Sequence, residues 1–421
     1  MTDPATSPGA VLDPAPRASG RWPASLIALA YNGFRLLLIG TVLTQMGQWI
    51  QQVALGWLVL DLTGSEFYLG LASFLRSIPM LFLSLPGGIL ADRVHQGRLL
   101  GIAQAFAAGF ALALAILVAL GSVEIWHVLA LSFLSGSAMA MVFPVRQALV
   151  PAVVPRNVLA NAIALNSAGN NVPRMAGPSL AGILIAVSGL AVCFFVQTAG
   201  LFLALWTSIA IRLPERKQKL VARSPLADLA EAFRYIRGDR ALFGLLLADA
   251  VPTVFGMPYI SFLPAFARDL GIGSTGLGLL MTAVGVGSVA GSIGFAMAGN
   301  FRRKGLVANI FIATFGLALI AFSLTSWFPG ALLLLALAGV SSSIYMATIN
   351  TLLQIRSPDH LRGRIISVYM LIWGLMPLGT LPLGALAENL GSSAAVLLGG
   401  GLVVIFALII ALFRPEVRAL E

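Results

Sequence analysis

Apolar runs long enough to cross a bilayer recur along nearly the whole of this 421-residue chain, and that repetition leaves few folds open to it. The runs fall near 34–60, 67–90, 99–121, 125–149, 158–187, 190–211, 241–267, 274–299, 305–325, 329–355, 362–388 and 393–413, each bounded by charges or by Gly/Pro clusters. About 20 apolar residues suffice for one helical crossing of the hydrocarbon core. The chain is 58% hydrophobic and only 10% charged, with a mean hydropathy of +0.94, whereas charged residues make up about a quarter of a soluble domain. The expected fold is an all-α membrane protein of twelve transmembrane helices, with little left over for a soluble domain.

Charge placement sets the topology. Arg17, Arg21 and Arg35 lie at the start, Arg93 and Arg98 between runs 2 and 3, and Arg146 and Arg156 between runs 4 and 5. Eight cations lie between Arg212 and Arg240, followed by Arg302, Arg303 and Lys304, then Arg356, Arg362 and Arg364, and last Arg414 and Arg418. Of the 26 Lys plus Arg only Arg76, Arg174 and Arg268 fall elsewhere, and the alternate loops carry Asp61, Glu66, Glu124, Asp269 and Glu388. By the positive-inside rule both termini are cytoplasmic, and the net charge of +10 reflects membrane topology rather than nucleic-acid binding. No signal-peptide pattern precedes Phe34, so the first helix is expected to be retained.

The longest polar connection divides the chain into six runs plus six. The expected organisation is a disordered tail over 1–33, a first bundle over 34–212, a cytoplasmic linker over 213–240, a second bundle over 241–413 and a short tail over 414–421. Within the linker Leu226, Leu229, Phe233 and Ile236 recur at helical spacing, which predicts an amphipathic helix at the cytoplasmic face. The halves repeat weakly: Gly177, Gly182 and Gly189 match Gly379, Gly384 and Gly391, each pair 202 positions apart. Runs 3, 9 and 12 are almost featureless and run 6 only slightly more polar, as lipid-facing members of a three-helix repeat would be.

Between runs 2 and 3 the stretch GGILADRVHQGRLL carries Gly88, Asp92, Arg93, Gly97 and Arg98. It resembles the loop between helices 2 and 3 of major facilitator superfamily transporters, with two extra residues before Gly97. Two further stretches resemble the exporter branch that includes enterobactin and macrolide efflux proteins: Pro144-Val145-Arg146-Gln147 at the end of run 4, and NNVPRMAGPSLAG in run 5 with Gly177, Pro178 and Gly182. The resemblance covers the chain from Phe34 onward and implies two pseudo-symmetric six-helix bundles. It also implies alternating access, and a cytoplasmic gate in which Asp92 meets the start of helix 11 at Arg362-Gly363-Arg364. Arg146 is expected at the same gate or to serve topology alone. Where related exporters carry an acid in the first run, this chain has Gln48, so no acid-dependent role is implied there.

Other candidates come from polar side chains inside apolar runs. Thr41, Gln45, Gln48 and Gln52 form one stripe of the first helix; unpaired amides facing hydrocarbon are costly, so these line a wet cavity or bond neighbouring helices. Arg76 either snorkels to the outer interface or faces the interior, and Arg174 shares a face with Ser167 and Asn170. Asp249 is the carboxylate placed well within a run. It is the candidate for proton coupling, with an end-of-helix ion pair as the alternative. Tyr259, Tyr345, Tyr369 and Trp373 fall in segments expected near a cavity, where they contact substrate or simply pack. Cys193 is alone and His95, His127 and His360 are scattered, so neither a disulfide nor a metal site is expected, and no nucleotide-binding loop is present. The resemblance implies secondary transport rather than enzymatic catalysis: proton-coupled efflux of an amphipathic small molecule such as a drug or siderophore, by a monomer in the inner membrane, without a cofactor. The alternatives are an importer or lipid flippase on the same fold, or a non-transporting receptor or assembly platform.

Overall fold

The computed structural model describes residues 23–93, 96–211, 225–299, 301–418 and 420. Its long helices are α1 (Asn32–Thr63), α2 (Glu66–Arg93), α3 (Gln96–Ala119), α4 (Ile125–Leu149), α5 (Leu159–Ser188) and α6 (Leu190–Ala210). A shorter helix, α7 (Pro225–Gly238), leads to α8 (Arg240–Val251), α9 (Tyr259–Asp269), α10 (Gly273–Ala298), α11 (Lys304–Leu324) and α12 (Phe328–Arg356). The chain ends with α13 (Arg362–Trp373), α14 (Met376–Phe413) and α15 (Pro415–Arg418). Among the described residues nine helical stretches are long and apolar enough to cross a membrane. The 32-residue α1 and 30-residue α5 match them in length but carry more polar side chains.

Two expected single helices are broken. Run 7 is split by one π-helical turn, Pro252–Gly256, in which the Met257 amide donates to the Pro252 carbonyl at 2.9 Å. Pro252 and Pro258 bracket that turn, and neither has an amide proton to continue the regular ladder. Run 11 breaks after Trp373, and α14 folds back at Gly391, whose φ of 85° and ψ of 155° suit a residue without Cβ. Gly189, its repeat partner, adopts φ 82° and ψ 172° between α5 and α6, so the weak repeat is expressed in backbone conformation.

The first half is held together by α1 on α5 and α6, α2 on α4, and α3 on α4 and α6; the second by α10 and α11 on α12 and α11 on α14. The halves meet along α5–α10 and α2–α14, with α1 against α9 and α10. Glycines set the approach. A Cβ on Gly182 would lie 2.7 Å from the Ser274 carbonyl oxygen and 3.1 Å from Gly278 Cα. At the related crossing a Cβ on Gly384 would lie 3.1 Å from Gly70 Cα. Each crossing therefore lets two backbones touch, and the same repeat position supplies the glycine in both.

The bland helices carry outward-facing apolar side chains, among them Phe106 on α3, Trp206 on α6, Leu317 on α11 and Leu408 on α14. Two segments depart from expectation. Part of the supposed tail, Ala24–Ala30, is a 3-10 turn pinned to α5: the Asn161 amide donates to the Ser25 carbonyl at 2.6 Å, and the Ala28 amide donates to the Asn161 side-chain oxygen at 3.0 Å. In α7 the helical pattern holds, but Ala232 and Ile236 are buried, with α13 and α8 as the packing neighbours, while Phe233 is exposed. Leu226 and Leu229 lie outside the residues whose side chains are described.

Candidate functional site

Two half-buried arginines converge on one stretch of α1. Arg76 of α2 donates to the Gln52 side-chain oxygen at 2.5 Å and to that of Gln48. It is thus held inward by the amide stripe rather than reaching out to an interface. On the adjoining face of α1 the guanidinium of Arg174, from α5, stacks over the Trp49 ring at 5.8 Å to the centroid. Gly177, one turn along α5, makes room for this stack, since a Cβ there would lie 2.6 Å from Trp49 Cβ. Gln45 is half-buried, and Asn170 turns back to its own helix, donating to the Asn166 carbonyl at 2.8 Å.

The second half presents a buried aromatic wall. Tyr259 and Tyr345 flank Phe315, with ring centroids 6.1 and 5.8 Å away. Both tyrosines lie within electrostatic range of Arg174, and Tyr345 is also within range of Asp249 and Tyr369. Asp249 ends α8 just before the π turn, is 0% exposed, and has neither carboxylate oxygen in an ordinary hydrogen bond. Thr253, one turn on, faces it without forming one. Asp249 is therefore a buried acid with no cationic partner among the described residues, not the end-of-helix ion pair weighed as the alternative. Tyr369 is buried and Trp373 half-buried.

Several groups are buried without a partner, and two of the residues that carry them, Gln104 and Gln197, were passed over by sequence reasoning. The Arg174 Nε, the Gln48 Nε2 and the Tyr345 hydroxyl are buried without a hydrogen-bond partner, as are the amides of Gln104 and Gln197. Gln197 has a sequence signal, being an amide inside an apolar run, but it escaped attention because α6 reads as lipid-facing.

The ends of the molecule differ. At the end where α2 begins and α9 finishes, Arg268 pairs with Glu66 at 2.8 Å and with Asp269 at 3.0 Å. Beside it Glu388 accepts from the Ser65 hydroxyl at 2.7 Å and the Phe67 amide at 3.0 Å. These contacts tie one half to the other. Arg268, one of three cations outside the topological pattern, thereby acquires a structural reason.

At the opposite end the expected gate residues engage their own half. Arg146 is buried against α1, donating to the Thr41 hydroxyl at 3.2 Å, with Gly40 leaving space for its guanidinium. Arg362 binds Asp359 at 2.6 Å and the Gln354 carbonyl at 3.0 Å, and Arg364 binds Glu231 of α7 at 2.6 Å. Arg98 is exposed. Gly88, Asp92 and Arg93 are in the last turns of α2, and their side chains lie outside those described. The packing motif of Gly177, Pro178 and Gly182 lies on α5, where Pro178 contributes the carbonyl that faces Gly278.

Known proteins share both sequence and fold with this chain. Residues 24–421 match the family described as transmembrane secretion effector. The staphyloferrin A transporter of Staphylococcus aureus is 25% identical over 82% of this chain and 87% of its own length. The multidrug efflux pump Tap of Mycolicibacterium fortuitum is 27% identical over 92% and 96%, and macrolide efflux protein A of Streptococcus pyogenes is 23% identical over 93% and 99%. In fold, a bacterial homologue of the lysosomal transporter Spinster, in an inward-facing and occupied conformation, aligns with a TM-score of 0.74 at 16% identity over 91% and 97% of the two chains. A D-xylose–proton symporter aligns with a TM-score of 0.74 at 12% identity over 92% and 98%. With its helices and its match over residues 24–421, this chain belongs to the transmembrane secretion effector family and is a multi-pass membrane transporter of the major facilitator type.

Proposed function

We propose that the protein is a proton-coupled antiporter that expels an amphipathic small molecule by alternating access. Twelve crossings are the reading best supported by the helices: the nine apolar stretches, one of them folding back at Gly391, together with α1 and α5. In that reading the halves are two six-helix bundles, the Lys/Arg-rich loops and both termini are cytoplasmic, and the protein works as a monomer in the plasma membrane. The end tied by Glu66, Arg268 and Glu388 is then the outer one, and the conformation is inward-facing. Opening outward requires those ties to break and the cytoplasmic ends to meet, with Asp92 approaching the start of α13 at Arg362–Arg364.

The observation that supports the proton coupling is Asp249: a carboxyl buried in the last turn of α8, unpaired, beside the π turn Pro252–Gly256. A buried carboxylate without a partner favours the protonated state, and admitting water or a cation reverses that preference. Access that alternates between the two sides therefore lets one group load a proton outside and release it inside. The names of the efflux relatives support the outward direction. The test is Asp249→Asn in cells lacking other pumps. Extrusion of panel compounds should fall to the background of the empty vector, while binding of the same compounds to purified protein stays within about twofold. Undiminished extrusion would remove Asp249 from the mechanism.

A further inference from the structure

Three of the groups left unsatisfied near α1 and the aromatic wall can donate hydrogen bonds. Arg174 Nε is a donor only, the Gln48 side-chain nitrogen is a donor only, and the Tyr345 hydroxyl can donate; none has a partner. The guanidinium of Arg174 has an aromatic face beneath it and no carboxylate within ion-pair distance among the described residues. Arg76 likewise leans on two neutral amides. Asp249 is the acid of this region, yet its carboxylate oxygens have no partner and it pairs with neither arginine. Even with Asp249 ionised, Arg76 and Arg174 leave one positive charge uncompensated in a low-dielectric setting. Such a charge is costly until something of opposite sign approaches it.

We propose that Arg174, Gln48 and Tyr345 form the docking point for an anionic head group, so that the transported molecule is an amphipath bearing a carboxylate or comparable oxyanion. This rests on the transport reading above and narrows its substrate class. The oxyanion accepts from Arg174 Nε and Gln48 Nε2, the Tyr345 hydroxyl donates to its second oxygen, and the apolar body lies against the aromatic wall of Tyr259 and Phe315. Arg76 holds the Gln48 oxygen, which turns that amide's nitrogen toward the ligand. The choice of sign is also favourable for export, because a membrane potential negative inside drives an anion outward.

The test uses the purified full chain in lipid nanodiscs and three probes matched in body and length: 6-(dansylamino)hexanoate, its carboxamide, and dansylcadaverine. Binding is read from dansyl emission. The carboxylate should bind at least about tenfold more tightly than the carboxamide, as a charge-assisted hydrogen bond commonly allows, and the amine most weakly. Arg174→Gln should bring carboxylate and carboxamide within about threefold, and Arg174→Lys should restore part of the preference; melting temperatures report whether each variant is folded. Equal binding of the three wild-type probes, tighter binding of the amine, no binding of any, or a carboxylate preference that survives in folded Arg174→Gln overturns the proposal. Flux of the same probes under an imposed pH gradient in proteoliposomes separates the two readings. Flux without the carboxylate preference overturns the anion site and leaves transport standing. The preference without flux of any probe leaves the anion site and overturns the transport reading.

Discussion

On the orientation proposed above, breaking the ties that Glu66, Arg268 and Glu388 make between the halves should shift the protein measurably toward an outward-open state. The perturbation is the double variant Glu66→Gln and Glu388→Ala, which removes both charges and the two hydrogen bonds that Glu388 accepts. Glu66 is paired with Arg268 at 2.8 Å, with side-chain exposures of 9% and 43%, so the pair is only partly screened by water and contributes about 1 kcal/mol. Glu388 is exposed and accepts two hydrogen bonds across the interface, which together add about 1 kcal/mol after solvent competition. A bias of about 2 kcal/mol corresponds to a change of about 30-fold in the ratio of the two states. The lone Cys193 is buried, so cysteines introduced at exposed sites take spin labels selectively. Leu120 with Leu324 reports the outer end and Ile209 with Phe413 the inner end, each exposed by 70% or more. The double variant should lengthen the outer distance and shorten the inner one; 1 M salt should move wild type the same way by screening. Unchanged distributions at both ends would refute the view that these charges hold the halves together.

Gly182→Val should strain the α5–α10 crossing, because the new Cβ meets the Ser274 carbonyl and Gly278 backbone rather than a side chain that can turn away. A cost of about 1–3 kcal/mol is expected, seen as a lower thermal midpoint and a widened outer distance between the same label pair. Asp239 caps α8, accepting from the Ala241 and Leu242 amides at 2.9 and 3.2 Å, and also pairs with Arg356 at 3.0 Å. Asp239→Ala should therefore lower stability by about 1–2 kcal/mol, whereas Asp239→Asn should retain most of the cap; the two midpoints compared in one detergent check this.

What the sequence reveals, and what it withholds, follows from the range of the interactions. Helices of 20 or more apolar residues are dictated locally by lipid, so their positions are readable to within a few residues. The amide stripe of α1 is a helical repeat and equally readable. Which amides receive Arg76 is not, because Gln48 and Gln52 lie 28 and 24 positions away on another helix. Glu66 and Arg268 are visible as loop charges, but their pairing spans 202 positions and joins the two halves. The π turn at Pro252–Gly256 has its prolines in plain sight, but not its packing against Phe315, whose ring lies 2.6 Å from where a Cβ on Gly256 would be. Asn161 likewise orders residues 24–30 from 133 positions away, a contact no local pattern announces. The glycine repeat at 189 and 391 is an exception: a long-range symmetry legible because only glycine accepts that backbone shape.

Proton movement in the direction opposite to substrate is the central claim, and proteoliposomes containing a trapped pH indicator measure it directly. With an identified export substrate at saturating concentration on one side, the protein should release protons toward the substrate-rich side in step with substrate crossing, and Asp249→Asn should abolish this proton movement. Substrate flux accompanied by no proton counterflow, or a counterflow that persists in folded Asp249→Asn, would contradict it.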